Sequence, residues 1–366
     1  MLTEEELNRY SRQTNLAELG IEGQEKLKGT KVLVVGAGGL GCPAMLYLAA
    51  AGIGELGIID FDKVEESNLH RQILYSNKDV GNYKASSAAS YISEKYPYTS
   101  VKYFNEQLST SNAKKLISEY DIVLDGTDNF STRYLINDAC VILNKPFVFA
   151  SLYKFQLQVS VFNYMNGPTY RCLFPTPPAN NEMPNCTEAG VIGVLPGIAG
   201  CLQVNETIKI ATGIGDPLSG KLLVFDGLTM TQQILLFDSL PENKNIQSLG
   251  SYKIECNSNG EINEIVPEEL NKLIKTGADL EIIDVREKDE YEKCNLGGTL
   301  IPLYEIESKW KTINKDKQII VHCHHGGRSR KAIQLLNELG EFKNIYNLKG
   351  GIHAWAKEID PLMNTY

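Results

Sequence analysis

The chain has 366 residues, enough for two domains at roughly 100–200 residues each. With 43% hydrophobic and 22% charged residues it is neither disordered nor fibrous. Its 36 basic and 45 acidic residues give a net charge of −9, which argues against a nucleic-acid partner, since phosphates require a basic face.

The start, MLTEEELNRYSRQ, is charged and has no apolar h-region, so no signal peptide is expected. Residues 3–28 read as two helical pieces separated at Gly20 and Gly23, with Thr3 and Glu6 forming a capping box. Lys31–Val35 is a short, continuously apolar run of the kind buried in a parallel sheet. The segment Gly36–Gly41 (GAGGLG) follows, then a helix to about Ala51 and a second buried strand at Glu55–Asp60. Strands are predicted at Ser100–Phe104 and Ile122–Leu124, and helices at Lys84–Tyr96 and Asn112–Glu119. This alternation predicts an α/β fold, a Rossmann-like, doubly wound sheet. Pro146–Asn163 reads as extended strands, Cys172–Glu188 as a long loop, Gly190–Gly213 as an apolar helix and Lys221–Asp226 as a strand. The stretches 42–54 and 189–202 are too short to span a bilayer and each contains proline, so no membrane association is expected.

The polar residues 241–261 read as a linker between a first domain, 1–240, and a second, 262–366. In the second, Pro267–Lys275 and Arg328–Leu339 read as helices, and Glu281–Val285, Ile319–His322 and Ile345–Leu348 as strands of a smaller α/β domain.

Gly36, Gly38, Gly39 and Gly41 fit G-x-G-x-x-G between a strand and a helix, with Asp60 about 20 residues on at the end of the next strand. Bare backbone and a helix N-terminus suit a phosphate, and the carboxylate suits a ribose hydroxyl. That motif alone suggests NAD. Against NAD stand Asn68, Arg71 and Gln72 in SNLHRQ, and Lys84 beyond them. A triphosphate attacked at its α-phosphate builds charge on a pyrophosphate leaving group, which Arg71 and Lys84 would neutralise. Asp128, after a buried strand, is a candidate Mg2+ ligand or else the N-cap of the helix starting at Phe130.

The motifs RYSRQ, GAGGLG, IIDFD, SNLHRQ, GNYKA and TDN occur in this order across about residues 3–240, and in this the chain resembles the ThiF/MoeB family. These are ubiquitin-activating-enzyme-like adenylyltransferases that activate sulfur-carrier proteins, molybdopterin-synthase adenylyltransferases among them. The resemblance implies ATP over the glycine loop, ribose on Asp60, ATP contacts from Asn68, Arg71, Gln72 and Lys84, and Mg2+ on Asp128. It also implies a homodimer in which Arg12 reaches the partner subunit's site.

Many family members carry a structural zinc on paired Cys-x-x-Cys motifs. Here Cys172-Leu173-Phe174-Pro175 has lost a cysteine and only Cys256 stands near the second pair's place, so zinc is expected to be absent. Eight cysteines form no disulfide framework, and reducing, cytoplasmic surroundings are expected. Cys42, Cys140 and Cys201 lie on apolar helical stretches and read as core fillers. Cys186 matches a loop cysteine that in some relatives holds the carrier covalently, and reads either as a nucleophile or as a passive loop thiol.

In the second domain a strand ends at Cys323, and His324, His325, Gly326 and Gly327 lead to Arg328 at a helix start. Loop amides converging on the sulfur suit a thiolate or persulfide. Four residues between Cys323 and Arg328, one fewer than in tyrosine phosphatases, make a cradle sized for sulfur. With IDVRE, Glu290-Tyr291 and LKGGIHAW, residues 262–364 resemble rhodanese-like sulfurtransferases. A metal held by His322, Cys323, His324 and His325 is disfavoured, because consecutive residues at a strand end point in different directions.

The expectation is therefore a fused enzyme. Mg-ATP adenylates the C-terminal glycine of a small ubiquitin-like sulfur carrier ending in Gly-Gly, and a Cys323 persulfide, loaded by an upstream persulfide donor, converts it to a thiocarboxylate. The alternatives are adenylation alone with the second domain as a docking module, and an NAD-dependent dehydrogenase.

Overall fold

Short apolar runs without polar alternation pair as parallel strands buried on both faces, and the N-terminal half is built on them. The computed structural model of the chain describes residues 1–176, 190–250, 252, 262–340, 342 and 344–364. It divides into two units, Met1–Ile254 and Glu255–Tyr366.

The first unit opens with α1 (Glu4–Arg9), closed by its capping box: Glu6 N–H donates to Thr3 Oγ1 at 3.2 Å and Thr3 N–H to the Glu6 carboxylate at 2.7 Å. Two more helices follow, α2 (Ser11–Thr14) and α3 (Gly20–Gly29), where sequence reading expected one. Gly23 lies inside α3 rather than between helices, where a Cβ on it would meet the Leu19 side chain at 2.8 Å. Then come β1 (Lys31–Val35), α4 (Gly41–Ala51), β2 (Glu55–Ile59), α5 (Lys84–Lys95), β3 (Ser100–Phe104), α6 (Ala113–Ser118), β4 (Ile122–Asp125), α7 (Phe130–Leu143) and β5 (Phe147–Tyr153). The five strands run parallel in the order β3-β2-β1-β4-β5. Three antiparallel strands extend this sheet: β6 (Gln156–Phe162), β7 (Lys221–Asp226) and β8 (Thr231–Leu236). Between β6 and β7 lie the short α8 (Tyr170–Leu173) and the long α9 (Val194–Thr212).

The central strands of the sheet are buried from both sides. Val32, Val34, Leu56 and Ile58 pack against α4 and α5, and Leu33, Val35, Val123 and Phe147 against α6 and α7. Each such side chain contributes about 1.5–3 kcal/mol on burial. Cys42 and Cys140 are core residues, but Cys201 is exposed on α9. That helix is apolar nearly all round, so composition could not say which side faces outward. The stretch expected to be linker is tied down at its start. Leu249 and Tyr252 pack against the α6/α7 side of the sheet, and Tyr252 Oη donates to Asp138 at 2.8 Å beside the Arg171–Asp138 ion pair.

The second unit carries β9 (Asn263–Ile265), α10 (Pro267–Lys275), β10 (Leu280–Asp284), α11 (Lys288–Lys293), β11 (Thr299–Leu300), α12 (Ile306–Lys309), β12 (Gln318–His322), α13 (Gly327–Leu339), β13 (Ile345–Leu348) and α14 (Gly351–Glu358). Its sheet is wholly parallel, order β11-β10-β12-β13-β9, with β12 at the centre. No helix among the described residues is long and apolar enough to cross a membrane.

Candidate functional sites

In the first unit the carboxyl ends of β1, β2 and β4 meet at one rim, with Val35 level with Ile59 and Asp125. The strand order reverses between β1 and β4, where open α/β sheets take their ligands. A cleft of about 680 Å3 opens there. Gly36 turns the chain off β1 at φ 95°, and a Cβ on it would lie 2.7 Å from the Gly126 carbonyl oxygen. Gly41 lets α4 begin beneath the loop, because a Cβ there would stand 2.1 Å from the Gly36 carbonyl oxygen. Gly38 and Gly39 line the cleft as bare backbone at the start of α4, a natural seat for an anion.

Asp60 closes the far side. Its carboxylate accepts N–H bonds from Ala37 and Asp62, both at 2.7 Å, so the acid after β2 also staples the glycine loop. Burial pushes its carboxyl above the usual carboxylate range, against the pull of those amides and Lys84. Lys84 is 6% exposed and donates to Asp62 at 2.8 Å. Arg71 is aimed by Asn68, whose Oδ1 accepts from Nη2 at 2.7 Å, and by the Ser67 carbonyl at 3.3 Å. Among the described residues Arg71 has no carboxylate partner, and its charge is available to a ligand. Gln72 is buried in the cleft wall, with an Oε1 that accepts no hydrogen bond from the described residues.

Asp128 stands exposed on the cleft rim. It is not the cap of α7: Asn129 is, its Oδ1 accepting the Thr132 N–H at 2.9 Å. Beneath it lies a clamp that sequence reading missed. Asp125, fully buried, accepts from Thr127 N–H at 2.9 Å, Thr127 Oγ1 at 2.6 Å and Arg133 Nε at 3.2 Å. Arg133 also donates to the carbonyls of Thr127 and Ala150, which locks the turn carrying Asp128. The only hint in the sequence was an acid closing an otherwise apolar strand.

One expected site residue is not in the cleft. Arg12 is exposed on α2 and does not line it. Cys186 lies outside the described residues, as does Cys256. Cys172 is half-buried, and its sulfur accepts the backbone N–H of Leu240 at 3.3 Å and of Thr169 at 3.4 Å.

In the second unit β12 delivers Cys323, 2% exposed, into a turn closed by Gly326 at φ 95°. Gly326 N–H donates to the Cys323 sulfur at 3.1 Å, and Ser329 Oγ stands 3.5 Å from it. Asn347 fixes that serine at 2.7 Å. Gly351 must be glycine, because a Cβ would stand 2.4 Å and 2.5 Å from the carbonyl oxygens of His324 and Cys323. Arg328 does not point freely into the loop: it pairs in a two-pronged bridge with Glu290, at 2.5 and 2.7 Å. Below the loop Arg286 and Asp284 form a fully buried ion pair at 2.6 Å. His322 is fully buried 3.7 Å from Asp284, and burial pushes its imidazole down to about 4, so it is neutral. The expected divergence of neighbouring histidines holds for His322 but not for His324 and His325, whose rings lie 4.1 Å apart. Among the described residues no three His, Cys, Asp or Glu side chains are grouped to hold a metal.

Residues 10–248 match the ThiF family and residues 266–358 the rhodanese-like domain. The chain belongs to the ThiF family. Its ThiF and rhodanese-like parts occur fused in relatives of nearly the same length. The chain is 40% identical to "Probable adenylyltransferase/sulfurtransferase MoeZ" of Mycobacterium tuberculosis (strain ATCC 25618 / H37Rv) over 380 residues, covering 100% of this chain and 96% of that protein. It is likewise 40% identical to "Adenylyltransferase and sulfurtransferase MOCS3" of Drosophila sechellia, covering 100% and 86%. Among solved structures, Escherichia coli MccB with ATP matches at a TM-score of 0.57 and 25% identity, over 64% of this chain and 73% of that one. The structure of PaaA shares the fold at a TM-score of 0.56 and 24% identity, over 65% and 76%. This ThiF-family member is therefore an enzyme, an adenylyltransferase with a sulfurtransferase domain.

Proposed function

We propose that the cleft binds Mg-ATP and adenylates the C-terminal glycine of a small ubiquitin-like sulfur carrier ending in Gly-Gly. A carboxylate oxygen attacks the α-phosphorus, the bond to the bridging oxygen breaks, and pyrophosphate leaves. Arg71, aimed by Asn68, and Lys84 neutralise charge that grows on that leaving group, which a free carboxylate cannot otherwise displace. Asp60 takes the ribose hydroxyls, and Gln72 offers its Oε1, unpaired among the described residues, to a donor on the nucleotide. A Mg2+ ion, which binds phosphates with few protein carboxylates, would be held by Asp128 and would neutralise phosphate oxygens.

Cys323 is the proposed sulfur acceptor. Its thiolate attacks the outer sulfur of an upstream persulfide, whose thiolate departs with the bonding pair. The terminal sulfur of the Cys323 persulfide then displaces AMP from the carrier, and a second thiol cleaves the S–S bond to release a thiocarboxylate. On a route through Cys186, that thiol displaces AMP first to give a carrier thioester, and the persulfide sulfur then expels the Cys186 thiolate instead of AMP. Arg12, exposed and outside its own cleft, fits a homodimer in which it completes the partner's site. The enzyme is proposed to be cytoplasmic and free of structural zinc.

The observation carrying this reading is the placement of Arg71, Lys84 and Asp128 around one glycine-loop cleft, with Arg71 lacking a carboxylate partner among the described residues. Isothermal titration tests it. ATP with Mg2+ is expected to bind and NAD is not; NAD binding with no ATP binding would overturn it.

A further inference from the structure

Three histidines meet at the mouth of the sulfur loop. His324 and His325 come from the loop itself and His353 from the first turn of α14, brought in where His353 N–H donates to the His324 carbonyl at 3.1 Å. The rings are 4.1 Å apart for His324–His325, 4.9 Å for His325–His353 and 5.7 Å for His324–His353. His325 and His353 are exposed, His324 half-buried, and Cys323, which precedes His324 in the loop, is buried. The neighbouring fixed charges come from each packed element. Arg328 of α13 is bound to Glu290 of α11, and Arg286 after β10 is bound to Asp284. Both guanidinium groups are thus matched by carboxylates, and the imidazoles are the groups at this mouth that can gain charge.

We propose that His324, His325 and His353 form a donor-recognition rim, an imidazole face that selects sulfane-sulfur donors by their negative charge. This rests on Cys323 being the sulfur acceptor. Burial and then the neighbouring rings hold His324 below the ordinary imidazole range, and burial, His353 and Arg328 do the same for His325. With their imidazoles held low, His324 and His325 gain charge only as the pH falls, and as they do they draw the dianion in. The two donors that separate charge from chemistry are thiosulfate, a dianion, and methanethiosulfonate, a monoanion with the same transferable sulfur. With either, the Cys323 thiolate attacks the sulfane sulfur, the donor S–S bond breaks, and sulfite or methanesulfinate leaves with its electron pair.

Single-turnover loading of the full-length enzyme, read as gain of one sulfur atom by mass spectrometry, measures kcat/KM for each donor across pH. The thiosulfate-to-methanethiosulfonate ratio is expected to rise about tenfold between about pH 8 and about pH 5.5, less at high salt, as one added charge on an exposed rim predicts. A variant carrying His324→Gln, His325→Gln and His353→Gln is expected to show a flat ratio, and His353→Gln alone a reduced slope. A flat ratio in the wild type, or an unchanged slope in the triple variant, would overturn the rim. A slope abolished by a chelator would overturn it in favour of a bound metal. Loading that persists in Cys323→Ser would instead remove the sulfur-acceptor reading on which the rim depends.

Discussion

Replacing Arg71 with alanine removes a cation whose position is set and whose charge is unspent. Its Nη2 donates to Asn68 Oδ1 at 2.7 Å and its Nη1 to the Ser67 carbonyl at 3.3 Å, contacts that aim the group without neutralising it. A preorganised donor facing charge that develops in the transition state contributes about 3–4 kcal/mol, or 10²–10³-fold in rate. Carrier-dependent ATP–pyrophosphate exchange should fall by that factor in Arg71→Ala. Arg71→Lys should recover only part of it, because an ammonium keeps the charge and loses the planar fork that Asn68 and Ser67 hold. Unfolding free energy should change by no more than about 0.5 kcal/mol, as for other surface substitutions. Exchange within threefold of wild type in Arg71→Ala would refute the assignment.

Asp128→Ala should lower exchange by about two orders of magnitude and raise the Mg2+ concentration required, whereas Asn129→Ala should chiefly cost about 1 kcal/mol of stability through loss of the α7 cap. If Asp128→Ala shows normal exchange at limiting Mg2+, Asp128 is not a metal ligand. Arg12→Ala should also be inactive, and mixing it with Arg71→Ala should restore one working site per heterodimer; no recovery would place Arg12 within its own chain. His322 yields a pH prediction. Its folded value of about 4 lies below the unfolded value near 6.5, so acid protonates the unfolded state first and stability drains as pH falls through that window, by about 3 kcal/mol in all. Hydrogen exchange of the β12 amides should accelerate accordingly, and His322→Phe should flatten the dependence; equal acid sensitivity in the variant would assign the loss elsewhere.

The elements legible in the sequence were those with one dominant signal. β1, β3, β7, α10 and β13 begin and end where their apolar runs and flanking breakers predict. The glycine loop was legible because only glycine tolerates the φ of Gly36 and the close approach at Gly41. Residues whose meaning depends on distant partners were not. β8, exposed along its length, has no buried face to imprint an alternation, and Asp125 and Arg133 declare themselves only once α7 folds back over β4. Asn129 and Asp128 are adjacent and equally good caps by type, and only geometry separates them. The meeting of His353 with His324 and His325 required knowing that α14 packs its first turn against the sulfur loop.

On the proposed function, one chain performs two separable half-reactions, nucleotide chemistry at the glycine-loop cleft and sulfur delivery at Cys323. Mass spectrometry of the carrier after incubation with ATP, Mg2+ and a persulfide donor tests this directly. Wild-type enzyme should add about 16 Da, oxygen replaced by sulfur at the terminal carboxylate, as displacement of an acyl-adenylate permits. Cys323→Ser should leave ATP–pyrophosphate exchange near wild type and give no such mass gain, because a hydroxyl stays protonated where a thiolate is required. A normal rate of thiocarboxylate formation in Cys323→Ser would contradict the account and reduce the rhodanese-like unit to a docking module.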